Sequence, residues 1–93
     1  MKDKFDITLL IGDVNLTLTI RPEEEELLRK AAKQINHAYK DYKERFGNSS
    51  SQEVLAKVTL LFAEGYGKLV QQVKELDRTL GDFEQELDRQ LLD

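Results

Sequence analysis

The sequence predicts an α+β fold: an N-terminal β-hairpin and helix, then a long C-terminal coiled-coil helix that joins copies into a homo-oligomer. Three patterns predict it. Apolar and polar residues alternate on both sides of Gly12-Asp13. Apolar residues then recur at three- and four-residue steps from Leu28 to Phe46, and from Leu55 onward a mostly apolar set keeps heptad spacing without a skip.

In the first segment Phe5, Ile7, Leu9 and Ile11 share one face, with Asp6 and Thr8 between them. Beyond Gly12-Asp13, Val14, Leu16, Leu18 and Ile20 resume the alternation, with Asn15, Thr17 and Thr19 opposite. Period two on either side of a two-residue turn led by glycine predicts a hairpin, and glycine in first place suits a type II′ turn. A two-stranded ribbon alone is marginal in water, so its apolar face requires a cover.

The first helix supplies that cover. Pro22 suits the first helical position, where its missing N–H costs nothing. Glu23, Glu24, Glu25 and Glu26 place negative charge at the positive end of the helix dipole, a role that outweighs a metal or partner site for this run. Leu28, Ala31, Ala32, Ile35, Tyr39, Tyr42 and Phe46 form one helical stripe. Gly47-Asn48 is expected to close the helix as a left-handed cap.

Ser50 followed three residues later by Glu53 is a capping box and opens a second helix. No comparable stop follows before Asp93. At ~1.5 Å per residue, Gln52 to Asp93 would make a rod on the order of 60 Å. The chain therefore divides into a head, residues 1–48, and an oligomerisation helix, residues 49–93.

The heptad positions a and d are Leu55, Thr59, Phe62, Tyr66, Leu69, Val73, Leu76, Leu80, Phe83, Leu87 and Gln90. All but Thr59 and Gln90 are apolar, which predicts a coiled-coil seam between chains. Asp77, Glu84 and Glu86 fall at the flanking e and g positions. Their repulsion disfavours a simple parallel pair and favours a staggered, antiparallel or four-helix arrangement. Gly65, Gly67 and Gly81 each cost the helix about 1 kcal/mol relative to alanine. Gly65, at a g position, suits a close approach, and a kink near Gly65–Gly67 is an open alternative.

Composition narrows the function. A chain of 93 residues is one small domain that gains from oligomerisation. Its charge of −4 opposes general affinity for nucleic acid or anionic membrane. No signal peptide or apolar span is evident, so a soluble cytoplasmic protein without membrane insertion is expected. With no cysteine and one histidine, thiolate chemistry and histidine relays cannot be built. His37 beside the apolar stripe reads as a solvated surface residue. Ser49, Ser50 and Ser51 read as linker and cap, and Gly12 as a turn glycine. No catalytic, cofactor or metal site is expected, and the protein is read as a non-enzyme.

The remaining candidate site is basic. Arg29, Lys33, Lys40 and Lys43 fall within roughly 80° on the first helix at ~100° per residue, with Arg45 near its end. These are either snorkelling lysines with pairs such as Glu25–Arg29 and Glu26–Lys30, or a docking surface for an acidic partner.

In this order, several segments resemble the bacterial cell division protein family ZapA. They are Ile7-Thr8-Leu9-Leu10-Ile11-Gly12, the Leu16/Leu18 alternation, Pro22-Glu23-Glu24-Glu25-Glu26-Leu27-Leu28, Ala31-Ala32 with Ile35-Asn36, Lys43-Glu44-Arg45 and Ser51-Gln52-Glu53-Val54-Leu55. The resemblance covers roughly residues 5–70, with heptads alone beyond. Asp13 stands where the family commonly has a basic residue, and Thr59-Leu60-Leu61 where it has an Ala-Leu-Asn run. The resemblance implies binding to the tubulin-like GTPase FtsZ and crosslinking or bundling of its protofilaments at the division septum. It also implies homodimers through the head and second helix, paired into homotetramers through the tails. Lys33, Lys40, Lys43 and Arg45 are the expected partner contacts. Leu55, Phe62, Tyr66, Leu69, Val73, Leu76, Leu80, Phe83 and Leu87 are the expected oligomer interface. The alternative is a generic coiled-coil scaffold module for another cytoplasmic complex.

Overall fold

The computed structural model describes residues 3–92. Its elements are β1 (Phe5–Ile11), β2 (Val14–Ile20), α1 (Pro22–Arg45) and α2 (Ser51–Leu92), the α+β order expected. By contacts the chain divides into two compact units, Met1–Leu60 and Leu61–Asp93, so the first turns of α2 belong with the hairpin and α1.

β1 and β2 pair antiparallel from Phe5↔Ile20 to Ile11↔Val14. This register gathers the alternating apolar residues of both strands on one face. On the other face Thr8 and Thr17 hydroxyls lie 3.0 Å apart, and Thr19 Oγ1 donates to Asp6 Oδ1 at 2.6 Å. Gly12, first in the turn, has φ +64°, the left-handed value that turns matched to strand twist demand.

α1 packs against β1. Ile7, Leu9, Ile20 and Ala32 form the core, with Ile11, Leu18 and Leu28 packed around it. The cover is partial: Val14 and Leu16 of β2 share the apolar face yet remain 49% and 44% exposed.

α1 starts on Arg21. The Glu24 carboxylate accepts from the Arg21 N–H at 2.9 Å, and the Glu24 N–H returns to the Arg21 carbonyl at 3.0 Å. This is half of a capping box, because arginine has no side-chain acceptor. The expected left-handed cap at Gly47-Asn48 does not form. α1 closes on Phe46, at φ −119° and ψ 61°, and among the described residues Gly12 is the only glycine with positive φ. A turn bond from Ser49 N–H to the Phe46 carbonyl, 2.9 Å, carries the chain round instead. Phe46 is anchored there, its ring edge-on to Tyr42 and under Lys57 Nζ, 3.8 Å from the centroid.

The Ser50 box does form, in both directions, at 3.2 Å each. From it α2 runs without a break through Gly65, Gly67 and Gly81. A Cβ at any of these three would meet nothing within 4 Å, so no close approach within the chain explains Gly65.

Candidate interaction surfaces

Two surfaces were predicted, and the structure places their residues differently. Val54 and Val58, outside the a/d set, are 0% and 2% exposed, the most buried side chains among the described residues. Leu55 is half-buried, and its Cδ2 would lie 3.1 Å from a Cβ at Gly12, so this predicted seam residue already touches its own hairpin turn. Thr59, the next seam position, turns its hydroxyl back to the Leu55 carbonyl at 2.8 Å.

The rest of the seam is open. Phe62, Tyr66, Leu69, Val73, Leu76, Leu80, Phe83 and Leu87 are between 40% and 72% exposed. A row of large apolar side chains at heptad spacing on one helix face is what a coiled-coil partner buries. Charges off this row pair along the helix, as Lys68 does with Glu64 at 3.5 Å. Of the three acidic residues flanking the seam, Glu86 is held by Arg89 and accepts from Gln90. That pairing offsets part of the repulsion expected at the tail.

The basic stripe is less uniform than its spacing suggests. Arg29 is paired with Glu25 at 2.9 Å, and Arg45 with Asp41 at 3.4 Å. Lys43 is half-buried, with Nζ 3.4 Å from the Ser49 carbonyl it donates to. Lys33 and Lys40 are exposed and make no ion pair among the described residues. Five residues beyond Lys40, Arg45 is turned roughly 140° from it at ~100° per residue. Lys33 and Lys40, with Arg29 beside them, form the coherent part. An open hollow lined by Pro22, Glu25, Glu26, Arg29, Lys30 and Lys33 adjoins it.

Sequence patterns did not reveal Asn36 as a tertiary link. Its Oδ1 accepts from the Gly12 N–H and its Nδ2 donates to the Leu10 carbonyl, both at 2.7 Å, tying α1 to the turn. Tyr39 joins the same junction, its hydroxyl donating to Ser51 Oγ at 3.1 Å.

Among the described residues no polar or charged side chain is buried, and no three metal-ligating side chains cluster. No described helix is long and apolar enough to cross a membrane. The chemistry on offer is surface complementarity: an apolar seam and a patch of positive charge.

No curated protein and no solved structure matches the chain. The family described as cell division protein ZapA matches residues 7–91, and with the match running from the hairpin through the tail, this chain belongs to the ZapA family of cell division proteins.

Proposed function

We propose that this chain is an FtsZ-associated crosslinker that self-associates and bundles protofilaments, stabilising the ring they form at the division septum. It works in the cytoplasm by binding, with no catalytic step, cofactor, nucleic acid or membrane insertion. Family membership supports the division role and the FtsZ partner.

The observation that carries the crosslinking reading is the open seam from Phe62 to Leu87. Burying an apolar side chain of this size stabilises by about 1.5–3 kcal/mol when fully exposed beforehand, so the half-exposed seam residues each favour association by about 1 kcal/mol. Residues 49–93 serve as the oligomerisation region, and a dimer, or a dimer of dimers, carries two or four heads. Weak contacts by each head then add through effective concentration, as a bundling protein needs. Lys33 and Lys40, with Lys43 and Arg45 near the end of α1, are the proposed contacts to an acidic filament surface.

Light scattering followed by co-pelleting with FtsZ at low and moderate salt tests the proposal. The expected result is a mass of two or four chains and filament bundles that thin as salt rises. A monomer, or an oligomer that leaves FtsZ filaments in the supernatant, overturns it; the second outcome leaves a scaffold for another complex.

A further inference from the structure

The free edge of β2 is unlike that of β1. In a hairpin closed by a two-residue turn, the flanking residues Ile11 and Val14 form a hydrogen-bonded pair, and such pairs then alternate down the ladder. Asp6, Thr8 and Leu10 therefore turn their backbone N–H and C=O to the outer edge of β1, and Asn15, Thr17 and Thr19 to that of β2. The Leu10 carbonyl that Asn36 caps is one of these outward groups. Asn36 donates to Leu10 and accepts from the Gly12 N–H as a neighbouring strand would, and so occupies this end of the β1 edge. β1 also carries a charge, Asp6.

β2 has no such guard. Its seven residues, Val14–Ile20, contain no charge, proline or glycine. Among the described residues the sheet has two strands, β1 and β2, and no third strand pairs with the outer side of β2. Asn15, Thr17 and Thr19 are exposed, and so are Val14 and Leu16 on the apolar face beside them. Natural edge strands are normally blunted by charge, proline or a cover, and an unblunted one is a template for another strand.

We infer that β2 pairs antiparallel with β2 of a second copy, about a two-fold axis through Thr17, to give a four-stranded sheet in the order β1-β2-β2′-β1′. This rests on the self-association proposed above and names a surface for it other than the tail. The register follows from the backbone directions. Centring on Thr17 makes Thr17↔Thr17′ and Asn15↔Thr19′ the hydrogen-bonded pairs, using every outward group of those three residues. It overlaps all seven residues and sets Leu16 beside Leu18′ and Val14 beside Ile20′, continuing the apolar face across the axis. A two-fold interface sets equivalent residues against one another, so a charge near its centre would meet its own copy. An uncharged strand suits this partner above others.

The natural chain has no cysteine, so disulfide trapping has no background. Thr17 lies on the outer face and bonds only to Thr8 there, so Thr17→Cys spares the core. Across the axis its Cα atoms would be about 5.5 Å apart, within the disulfide range of about 4.4–6.8 Å. Thr8→Cys is the control: its copies would stand three strand spacings, roughly 14 Å, apart. Mild oxidation of the full chain is expected to give covalent dimer from Thr17→Cys about tenfold faster than from Thr8→Cys. Asn15→Cys mixed with Thr19→Cys is expected to cross-link where neither does alone. If light scattering shows an oligomer but Thr17→Cys does not outpace Thr8→Cys, this pairing is wrong and self-association stands. If the reduced protein is a monomer, both fall.

Discussion

Two glycine-to-alanine substitutions should move stability in opposite directions, and the structure sets the size of each. At Gly12 the backbone has φ +64°, a conformation that costs an L-residue about 1–2 kcal/mol. The new Cβ would also lie 3.1 Å from Leu55 Cδ2 and 3.1 Å from Tyr39 Cε1, tighter than ordinary contact. Neither neighbour yields freely, since Tyr39 is half-buried with its hydroxyl bonded to Ser51 and Leu55 sits on the first turns of α2. Crowding of this kind adds about 1 kcal/mol, so Gly12→Ala should destabilise by about 2–3 kcal/mol in all. At Gly67 the backbone is helical and a Cβ meets nothing within 4 Å. Gly67→Ala should therefore stabilise by about 1 kcal/mol, the helix-propensity difference alone. The assay is urea unfolding followed by far-UV circular dichroism at one fixed protomer concentration, because association feeds into apparent stability. A Gly12→Ala protein within about 0.5 kcal/mol of the parent, the range of an inconsequential surface change, would refute the turn geometry. A Gly67→Ala protein less stable than the parent would mean that something covers this helix face in solution.

Three further sets of substitutions probe the two surfaces and the tie between α1 and the hairpin turn. Leu76→Asp with Leu80→Asp removes two seam contacts and adds charge, weakening tail-driven association by about 3 kcal/mol or more, over ~100-fold; an unchanged mass by sedimentation equilibrium would exclude these residues from the interface. Lys33→Glu with Lys40→Glu should cut co-pelleting with FtsZ and flatten its salt dependence; pelleting identical to the parent at both salts would remove the basic patch from the contact. Asn36→Ala loses two hydrogen bonds in a half-exposed site, a cost of about 1–2 kcal/mol, while Asn36→Asp keeps the acceptor for Gly12 and should lose about half as much; equal urea midpoints for Asn36→Asp and Asn36→Ala would show that the Gly12 bond contributes nothing.

The hairpin and both helices could be read from sequence because each rests on local physics. Period two brackets a turn whose glycine must have positive φ, and Ser50 with Glu53 satisfies a helix start from within four residues. Reading failed where the outcome depended on a distant neighbour. Gly47 was free to take a left-handed cap, but Phe46, held by Tyr42 and Lys57, fixes the exit one residue earlier. Asn36 is an ordinary polar helix residue until α1 is laid against β1, where its amide meets Leu10 and Gly12. The basic stripe was legible as an angular cluster, but not which members are already spent on Glu25, Asp41 or the Ser49 carbonyl.

α2 also shows why one heptad cannot describe a helix with two kinds of neighbour. Its opening turns face their own chain: Val54 and Val58 are wholly enclosed, and Leu55 rests on the Gly12 turn. From Leu60 to Leu91 no large apolar side chain named on the seam is better than 60% covered, since the exposures there begin at 40%. The change comes where the first compact unit ends, at Leu60. Upstream the apolar residues are spent on folding the head, and a substitution such as Val54→Ala should lower the stability of the isolated chain, by about 1–3 kcal/mol for a lost buried side-chain volume of this size. Downstream they are unspent, and a substitution such as Leu76→Asp should leave the head's unfolding midpoint unchanged once association is diluted away. If both substitutions instead lowered that midpoint equally at high dilution, the tail would be packing on its own chain, and the open seam that underlies the crosslinking mechanism would not exist.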